Sequence, residues 1–285
     1  MTVGVPCNGG LIPRSTPSLR VLSLGAGIQS TTVALMAAHG EFGVAPDCAI
    51  FADTQWEPSA VYEHLRWLES GNVLPFPIHR VTAGSVRDAV VNKAAGGKGR
   101  FAAVPFFTSD GGMGRRQCTR EFKLEPITRK IRELLGVAKG RRVPAGVTVE
   151  VWIGISTDEI FRMKPARHVW QENRWPLVEQ RMSRWDCRRW LDRHNYPIPP
   201  KSSCIGCPYH SDDLWREMRD EVPEEWADAV EVDRLIRAGG TLRGMRQQQF
   251  MHSARVPLDQ VDLSTPAERG QIDLFLNECE GMCGT

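Results

Sequence analysis

The strongest constraint on the fold is a short apolar strand, a glycine turn and a helix near the start of the chain. Residues 20–25 (RVLSLG) are apolar and β-rich, and residues 30–39 (STTVALMAAH) have a helical composition. A second buried-type strand at residues 48–52 and a helix at residues 58–69 follow. This order predicts a βαβ unit, whose crossover is right-handed in nearly all known cases.

Strand and helix patterns continue to alternate along the first two thirds of the chain. Residues 77–82 and 147–155 are predicted strands, and residues 121–135 are a predicted helix with apolar side chains at helical spacing. Strands that alternate with helices indicate an α/β fold with a mostly parallel sheet and helices on both faces. Ligands of such sheets bind beyond the carboxyl ends of the strands.

The pattern changes at about residue 176, where helices follow one another without strands between them. Residues 212–219 and 224–238 are predicted helices. We therefore predict an α/β region at residues 1–175 and a helical C-terminal region at residues 176–285. The glycine-rich segment 96–115 has no apolar period and is predicted to be a long mobile loop.

Composition excludes several classes of protein. The 285 residues include 36 Lys and Arg against 34 Asp and Glu, a formal charge of +2, and 41% are apolar. These proportions exclude a disordered, coiled-coil or collagen-like chain. Because no apolar run reaches the roughly 18 residues of a membrane span, and the first 20 residues lack a signal peptide's apolar stretch, we expect a cytoplasmic protein with no membrane partner.

The glycine turn after the first strand has the features of an anion-binding site. Residues 23–32 (SLGAGIQSTT) join a strand to a helix N-terminus, where backbone N–H groups converge. Glycines let the backbone approach a phosphate closely, and the hydroxyls of Ser30 and Thr31 can donate hydrogen bonds to it. The segment is neither a Walker A loop nor a dinucleotide G-x-G-x-x-G. On this pattern alone, a purely structural glycine turn stays an alternative.

Four segments together resemble the adenine nucleotide alpha hydrolase (PP-loop) superfamily, in the version found in phosphoadenosine phosphosulfate reductases. Residues 23–30 resemble the pyrophosphatase loop S-x-G-G-x-x-S, and residues 51–57 (FADTQWE) resemble F-x-D-T-G-x-E. Residues 118–126 (CTREFKLEP) resemble C-C-x-x-R-K-x-x-P. Residues 154–159 (GISTDE), followed by Arg162, resemble G-x-R-x-x-E-S with a following arginine. The resemblance implies a Rossmann-like fold of this superfamily.

The resemblance spans about residues 20–210 and implies binding of ATP or another adenine nucleotide, with Mg²⁺ as an additional candidate. The nucleotide-binding residues that it implies are Ser23, Gly25, Ala26, Gly27, Gln29, Ser30, Thr31, Asp53, Lys123, Gly154, Asp158, Glu159 and Arg162. Three positions depart from the family pattern. Gln29 stands where thiolating relatives usually carry Asp, Gln55 replaces a glycine, and Ser156 replaces an arginine.

Eight cysteines are unusual for a chain that does not need disulfides to build its core. In a reducing compartment, spaced cysteines more often bind metal or react. Cys204 and Cys207 form a C-x-x-C turn whose two thiolates can reach one metal. Cys118 stands where the resembling reductases have a tandem pair, and Cys187 is the candidate for a fourth ligand.

Four such thiolates suit either a 4Fe-4S cluster or structural zinc, and three thiolates with His210 suit zinc as well. The resemblance favours 4Fe-4S, because iron–sulfur reductases and the sulfur-activating proteins of DNA phosphorothioation join this fold to such a cluster. A redox dithiol and inert core cysteines are the other interpretations of these residues.

A second cysteine pair, Cys279 and Cys283, lies near the end of the sequence. It loosely resembles the C-terminal Glu-Cys-Gly-x-His segment that carries the catalytic cysteine of phosphosulfate reductases. We therefore predict both as catalytic thiols that form a thiosulfonate or carry a persulfide; the alternative is a terminus without a role. Cys7 and Cys48 are predicted to be inert.

Arginines alternate with tryptophans in one segment of the C-terminal region. They can form a nucleic-acid surface, in which cations follow the backbone and aromatic rings stack on bases, or they can pack locally. The residues concerned are Arg181, Arg184, Trp185, Arg188, Arg189, Trp190 and Arg193.

The leading functional hypothesis is an enzyme of sulfur metabolism that cleaves ATP to AMP and pyrophosphate while activating or transferring sulfur. Its implied partners are a sulfur or electron donor such as a cysteine desulfurase or a thioredoxin-like protein, a nucleic acid as acceptor, and a second copy of the chain in a homodimer. The alternative is a reductase that releases sulfite from an adenylylated sulfate. A second alternative is a zinc-stabilised module that binds nucleotides or nucleic acids.

Overall fold

The computed structural model describes residues 16–97, 104–242, 247–265 and 268. The strands are β1 (Leu19–Leu24), β2 (Cys48–Asp53), β3 (Ile78–Thr82), β4 (Phe107–Thr108), β5 (Val149–Ile153), β6 (Gln171–Arg174) and β7 (Gln249–Phe250). The helices are α1 (Ile28–Ala38), α2 (Ser59–Glu69), α3 (Val86–Ala94), α4 (Glu125–Leu134), α5 (Pro176–Glu179), α6 (Arg184–Arg193), α7 (Asp212–Glu221) and α8 (Pro223–Leu242). A π-helical turn (Thr119–Leu124) leads into α4, and 3₁₀ turns cover Thr157–Arg162 and Leu258–Gln260.

Five strands form one sheet in the order β3-β2-β1-β5-β6, and every neighbouring pair is parallel. β1 is the central strand, with Val21 opposite Cys48 of β2 and opposite Val151 of β5. The remaining pair, β4 and β7, is a short antiparallel ribbon. The predicted α/β fold with a mostly parallel sheet is therefore confirmed.

Alternate residues of the central strands point to opposite faces of the sheet, because side chains in a strand have a period of two. Leu22 and Phe51 pack with α1, α2 and α6 on one face, whereas Val21 and Ile50 pack with α4 on the other. Helices thus cover both faces of the sheet, as the alternating sequence pattern predicts.

A separate apolar cluster joins the C-terminal helices to the α/β region. Trp215 of α7 and Val232 of α8 are fully buried there, and they pack with α3 and with Phe122 of the π-helical turn. The carboxylate of Asp233 accepts the backbone N–H groups of Met251 and Leu258 at 2.8 and 3.0 Å, which fastens the segment after α8 to this cluster. The predicted helical character of the C-terminal region is confirmed for its described part.

Three features differ from the sequence prediction. β6 at the sheet edge has the polar sequence QENR, which carries no strand signal. The helix predicted at 121–135 begins as a π-helical turn before the α-helix. The segment 96–115 is ordered where it is described: Val104 and Phe106 are buried, and Phe107 pairs with Phe250, while residues 98–103 lie outside the described residues.

No helix within the described part of the chain is both long enough and apolar enough to cross a membrane.

Candidate functional site

A large cavity opens at the carboxyl ends of β1, β2 and β5, and its space, including the open mouth, is about 1020 Å³. The chain runs from β1 to β2 on one side and returns to β5 on the other, so the cavity lies where the strand order reverses. That is the usual ligand position in open α/β sheets. The predicted nucleotide-binding residues on its wall are Ser23, Gly25, Gly27, Gln29, Ser30, Lys123, Gly154, Glu159 and Arg162.

The loop between β1 and α1 forms one wall and leaves the helix N-terminus without a side-chain cap. Gly27 is the N-cap residue, and no side chain bonds to the first N–H groups of α1. Ser30 folds back on the loop, with its Oγ accepting the Gly25 N–H at 3.2 Å. Ala26 adopts a left-handed backbone with φ 57°. Uncapped N–H groups at a helix N-terminus attract anions, so this wall suits a phosphate.

Close backbone packing sets the shape of this loop. A Cβ on Gly154, just after β5, would lie 2.8 Å from the backbone nitrogen of Ser30. A Cβ on Gly27 would lie 2.7 Å from the Oγ of Ser202. Glycine is therefore required at position 154, where backbone atoms would have to move, whereas a Cβ at position 27 would make the Ser202 hydroxyl turn aside.

Four cationic side chains line the cavity, namely Lys123, Arg162, Arg184 and Lys201. Lys123 and Arg162 are among the predicted nucleotide ligands, whereas Arg184, Lys201 and the adjacent Ser202 are parts of this wall that were not predicted. The last two precede the C-x-x-C turn and reach the cavity through the fold of the chain, which spacing along the sequence does not reveal. Arginine and lysine so placed suit a polyphosphate.

One carboxylate on the cavity wall, that of Glu159, is held by two neighbours. Gln29 donates from Nε2 to its Oε2 at 3.2 Å, and Arg162 forms an ion pair with it at 2.7 Å. Burial raises the pKa of Glu159, while Arg162 opposes this shift. Gln29 and Arg162 thus hold the Glu159 carboxylate in place on the cavity wall.

Four predicted nucleotide ligands do not line the cavity. Ala26 is buried in the loop, and the Thr31 hydroxyl is hydrogen-bonded to His64 in the core at 3.1 Å. Asp53 accepts hydrogen bonds from the Gln55 N–H at 2.7 Å and from a tyrosine hydroxyl. Asp158 accepts the backbone N–H of Arg184 at 3.1 Å, at the start of α6. These side chains support the walls of the cavity, and the structure does not direct them at its interior.

A second cavity, with about 520 Å³ of space, adjoins the first and shares Thr119 and Lys123 with it. Cys118, Cys204 and Cys207 all line this cavity. The structure therefore brings three of the four predicted metal ligands to one place, beside the candidate nucleotide site.

Trp56 fixes the C-x-x-C turn in this position. Its carbonyl accepts the Ile205 N–H at 2.8 Å, and its ring lies so close that a Cβ on Gly206 would be 2.0 Å from it. Glycine at position 206 is therefore required for packing against Trp56, a reason that the turn sequence alone does not disclose.

The thiols of the second cavity lie beside a buried carboxylate. Glu57 is only 4% exposed; its Oε1 accepts from Thr54 at 2.9 Å and lies 3.3 Å from Lys123 Nζ. Burial raises the pKa of Cys204, and the charge of Glu57 raises it further. Burial also raises the pKa of Cys118, partly offset by nearby cations. Both groups are therefore held as neutral thiols at pH 7.

The structure does not bring Cys187 to the other three. It lies fully buried on the sheet-facing side of α6, in the cluster that contains α1, and burial raises its pKa to about 12. His210, the alternative zinc ligand, contacts the Ser203 hydroxyl through Nε2 at 2.9 Å. The described residues contain no group of three or more His, Cys, Asp or Glu that could hold a metal ion. The four-thiol set therefore does not fit a cluster or zinc in this arrangement.

The predicted catalytic residues Cys279 and Cys283 lie outside the described residues, as does Cys7. Cys48, predicted to be inert, begins β2 and is buried; burial raises the pKa of its thiol to about 11.

No protein-family model and no curated protein matches the chain. Among solved structures, it is similar to the phosphoadenylyl-sulfate (PAPS) reductase of Candida auris, in a phosphate complex. The two are 13% identical, and the match covers 65% of this chain and 76% of that chain with a TM-score of 0.40.

Proposed function

We propose that the chain is a PP-loop enzyme that binds an adenine nucleotide with its phosphates between the β1–α1 loop and the cations of the large cavity. The observation that carries this proposal is the position of the uncapped α1 N-terminus at the switch point of the sheet, facing Lys123, Arg162, Arg184 and Lys201. A helix N-terminus and charged donors both favour a polyanion.

The charges of the cavity support a polyphosphate in particular. Glu159 is already neutralised by Arg162, so the cationic character of the wall persists despite this acid. Each charge-assisted hydrogen bond between a cation and a phosphate is worth about 1.5–3 kcal/mol. Several such contacts account for binding of a triphosphate without a Walker A lysine.

The reaction that we propose is ATP-dependent activation of an acceptor for sulfur transfer. An acceptor oxygen attacks the α-phosphorus, the bond to the β-phosphate oxygen breaks, and pyrophosphate leaves. Cations placed around the phosphates stabilise the charge that develops on this leaving group. A protein persulfide then attacks the activated acceptor and displaces AMP. A thiol cleaves the S–S bond of the resulting intermediate, which leaves one sulfur on the acceptor and a disulfide on the donor.

Reduction of an adenylylated sulfate is the second candidate, and the thiols beside the nucleotide cavity favour it. In that reaction a thiolate attacks the sulfate sulfur and releases the adenosine phosphate; a second thiol then forms a disulfide and releases sulfite. Cys118 and Cys204 adjoin the cavity, but their pKa values are raised, so attack would require a base to take the proton.

A 4Fe-4S cluster or zinc stays a prediction, although the donor set of the described residues does not fit either. Metal analysis of anaerobically prepared protein tests it directly: iron with absorbance near roughly 400 nm supports the cluster, and stoichiometric zinc in a colourless sample contradicts it.

Product analysis separates the two reactions. Anaerobic protein is incubated with ATP and, separately, with phosphoadenosine phosphosulfate plus a thiol reductant, and pyrophosphate and sulfite are measured. We expect pyrophosphate from ATP; sulfite from the second incubation would instead establish the reductase. Formation of neither product, together with absence of ATP binding, would contradict the proposed function.

A further inference from the structure

Three exposed apolar side chains lie on the segments that bound the mouth of the large cavity. Phe161 is 65% exposed, Trp185 is 63% exposed and Ile160 is 54% exposed. Large apolar groups at such exposure in one region are typical of an interaction site.

Hydrogen bonds join the two segments that carry these side chains. The Thr157 N–H donates to the Met182 carbonyl at 2.9 Å, and the Arg184 N–H donates to Asp158 at 3.1 Å. The same two segments contribute Arg162 and Arg184 to the cavity wall. The aromatic rings therefore belong to the cavity rim, a term we use for residues 157–162 and 181–188.

The rim lies in a basic part of the sequence. Residues 157–193 contain nine Lys and Arg against six Asp and Glu, while the rest of the chain has 27 against 28. Arg181 and Arg188 are exposed on either side of Trp185. The nearly neutral total thus conceals a basic region next to the candidate nucleotide site.

We propose that the cavity rim binds single-stranded nucleic acid, with bases stacked on Phe161 and Trp185 and phosphates bound by the flanking arginines. The exposed ring faces fit unpaired bases, because bases within a duplex are already stacked on each other. A second copy of this chain fits less well, since a symmetric contact would bring its own arginines together. The inference extends the proposed function by giving the chemical class of the sulfur acceptor. Only this role of the nucleic acid as acceptor rests on the proposed function; binding at the rim does not.

Trp190, which also alternates with arginines in the sequence, is not part of the rim. It is 4% exposed and donates from Nε1 to Glu41 at 2.9 Å in the core. Of the two tryptophans in residues 181–193, Trp185 is therefore the one that can stack on a base.

Fluorescence anisotropy with labelled 12-nucleotide single strands, one of DNA and one of RNA, tests the inference. We expect binding of at least one strand that weakens as salt rises, and weaker binding of the corresponding duplex. Because a base–aromatic stack is worth about 1–3 kcal/mol, Trp185→Ala and Phe161→Ala should each weaken single-strand binding by roughly 5- to 150-fold. The comparison of the two strands shows which sugar the rim accepts.

Leu134→Ala is the matched control, because Leu134 is a partly exposed apolar residue at the end of α4, on the other face of the sheet. The inference is overturned if neither strand binds, if the duplex binds as tightly, or if the rim variants bind as well as Leu134→Ala. A dimer in solution that the rim variants dissociate, without any effect on a strand, would also overturn it and assign the rim to self-association.

ATP binding by the same proteins is measured separately, so the two proposals can fail independently. Protein that binds ATP but no strand retains the proposed nucleotide site and loses the inference. Protein that binds a strand through Trp185 but does not bind ATP retains the inference and loses the proposed function.

Discussion

The backbone just after β5 touches the first turn of α1, so that a Cβ on Gly154 would lie 2.8 Å from the nitrogen and 2.9 Å from the Cα of Ser30. This contact sets the position of the helix N-terminus that faces the large cavity. The contact explains why a glycine is needed at position 154: a larger residue there would collide with the backbone at the start of α1.

Gly154→Ala is therefore expected to displace the start of α1 and to weaken ATP binding at least tenfold. The cause is steric, since backbone atoms of a packed helix cannot move aside as the end of a side chain can. Isothermal titration measures the affinity. Gly71→Ala is the control, because no atom lies within 4 Å of its added Cβ; an equal affinity of the two variants would contradict the role of this contact.

Asp233 is expected to be the main polar support of the C-terminal region. It is buried, bonds to two backbone N–H groups and forms an ion pair with Arg237. Asp233→Ala leaves these donors buried and unpaired, which should lower the free energy of unfolding by about 3–5 kcal/mol in urea titrations.

Asp220→Ala controls for loss of an aspartate, because this side chain is exposed and pairs with its neighbour Arg219. Its effect on the free energy of unfolding should be small beside that of Asp233→Ala. A comparable loss of stability in both variants would show that Asp233 has no special role.

The protein should be more stable with glycine at position 55 than with Gln55. Its φ of 55° lies in the left-handed region, which costs a non-glycine residue about 1–2 kcal/mol, and part of this gain is offset by the backbone entropy of glycine. Gln55→Gly is expected to raise the free energy of unfolding by about 0.5–1 kcal/mol. Gln180→Gly, at an ordinary φ of −83°, should lower it; a loss of stability at position 55 as well would contradict this interpretation.

His64 should make the protein sensitive to acid. Burial lowers the pKa of His64 from 6.5 to about 4. As the pH falls below 6.5, His64 therefore binds a proton in the unfolded chain but stays neutral in the folded chain. Stability is thus present above pH 6.5 and lost toward pH 4, with a loss of about 2 kcal/mol by pH 5 from this residue. Urea titrations at pH 7.5 and 5 measure it.

His64→Gln can keep a hydrogen bond to Thr31. This variant should lose about 2 kcal/mol less free energy of unfolding between pH 7.5 and pH 5 than the wild type does. The exposed His168→Gln serves as the control. An unchanged difference in the His64 variant would assign the acid sensitivity to other groups.

The central sheet could be predicted from the sequence because its information is local. Residues 20–25 and 48–52 are mostly apolar, and each is followed by a helical pattern, so these strands and the parallel character of the sheet could be inferred. β6 could not, since its four residues are polar; Arg174 joins the sheet with its guanidinium over the Trp152 ring of β5, a contact that no apolar pattern marks.

The candidate site could be predicted only in part. Lys201 and Ser202 reach the cavity beside the β1–α1 loop from a distant part of the chain, and no local pattern marks that approach. Cys187 has a plausible spacing from the C-x-x-C turn, yet α6 directs it into the core with Leu191. Spacing along a chain does not determine which face of a helix a residue occupies until the packing of that helix is known.

Titration of ATP into the wild-type protein and into Lys201→Met, with Lys139→Met as the exposed control, tests the central claim most directly. Loss of one charge-assisted phosphate contact should weaken binding by roughly 10- to 150-fold in Lys201→Met and leave Lys139→Met unchanged. Equal affinities in all three proteins, or no binding of ATP by the wild type, would contradict the assignment of the large cavity as a nucleotide site.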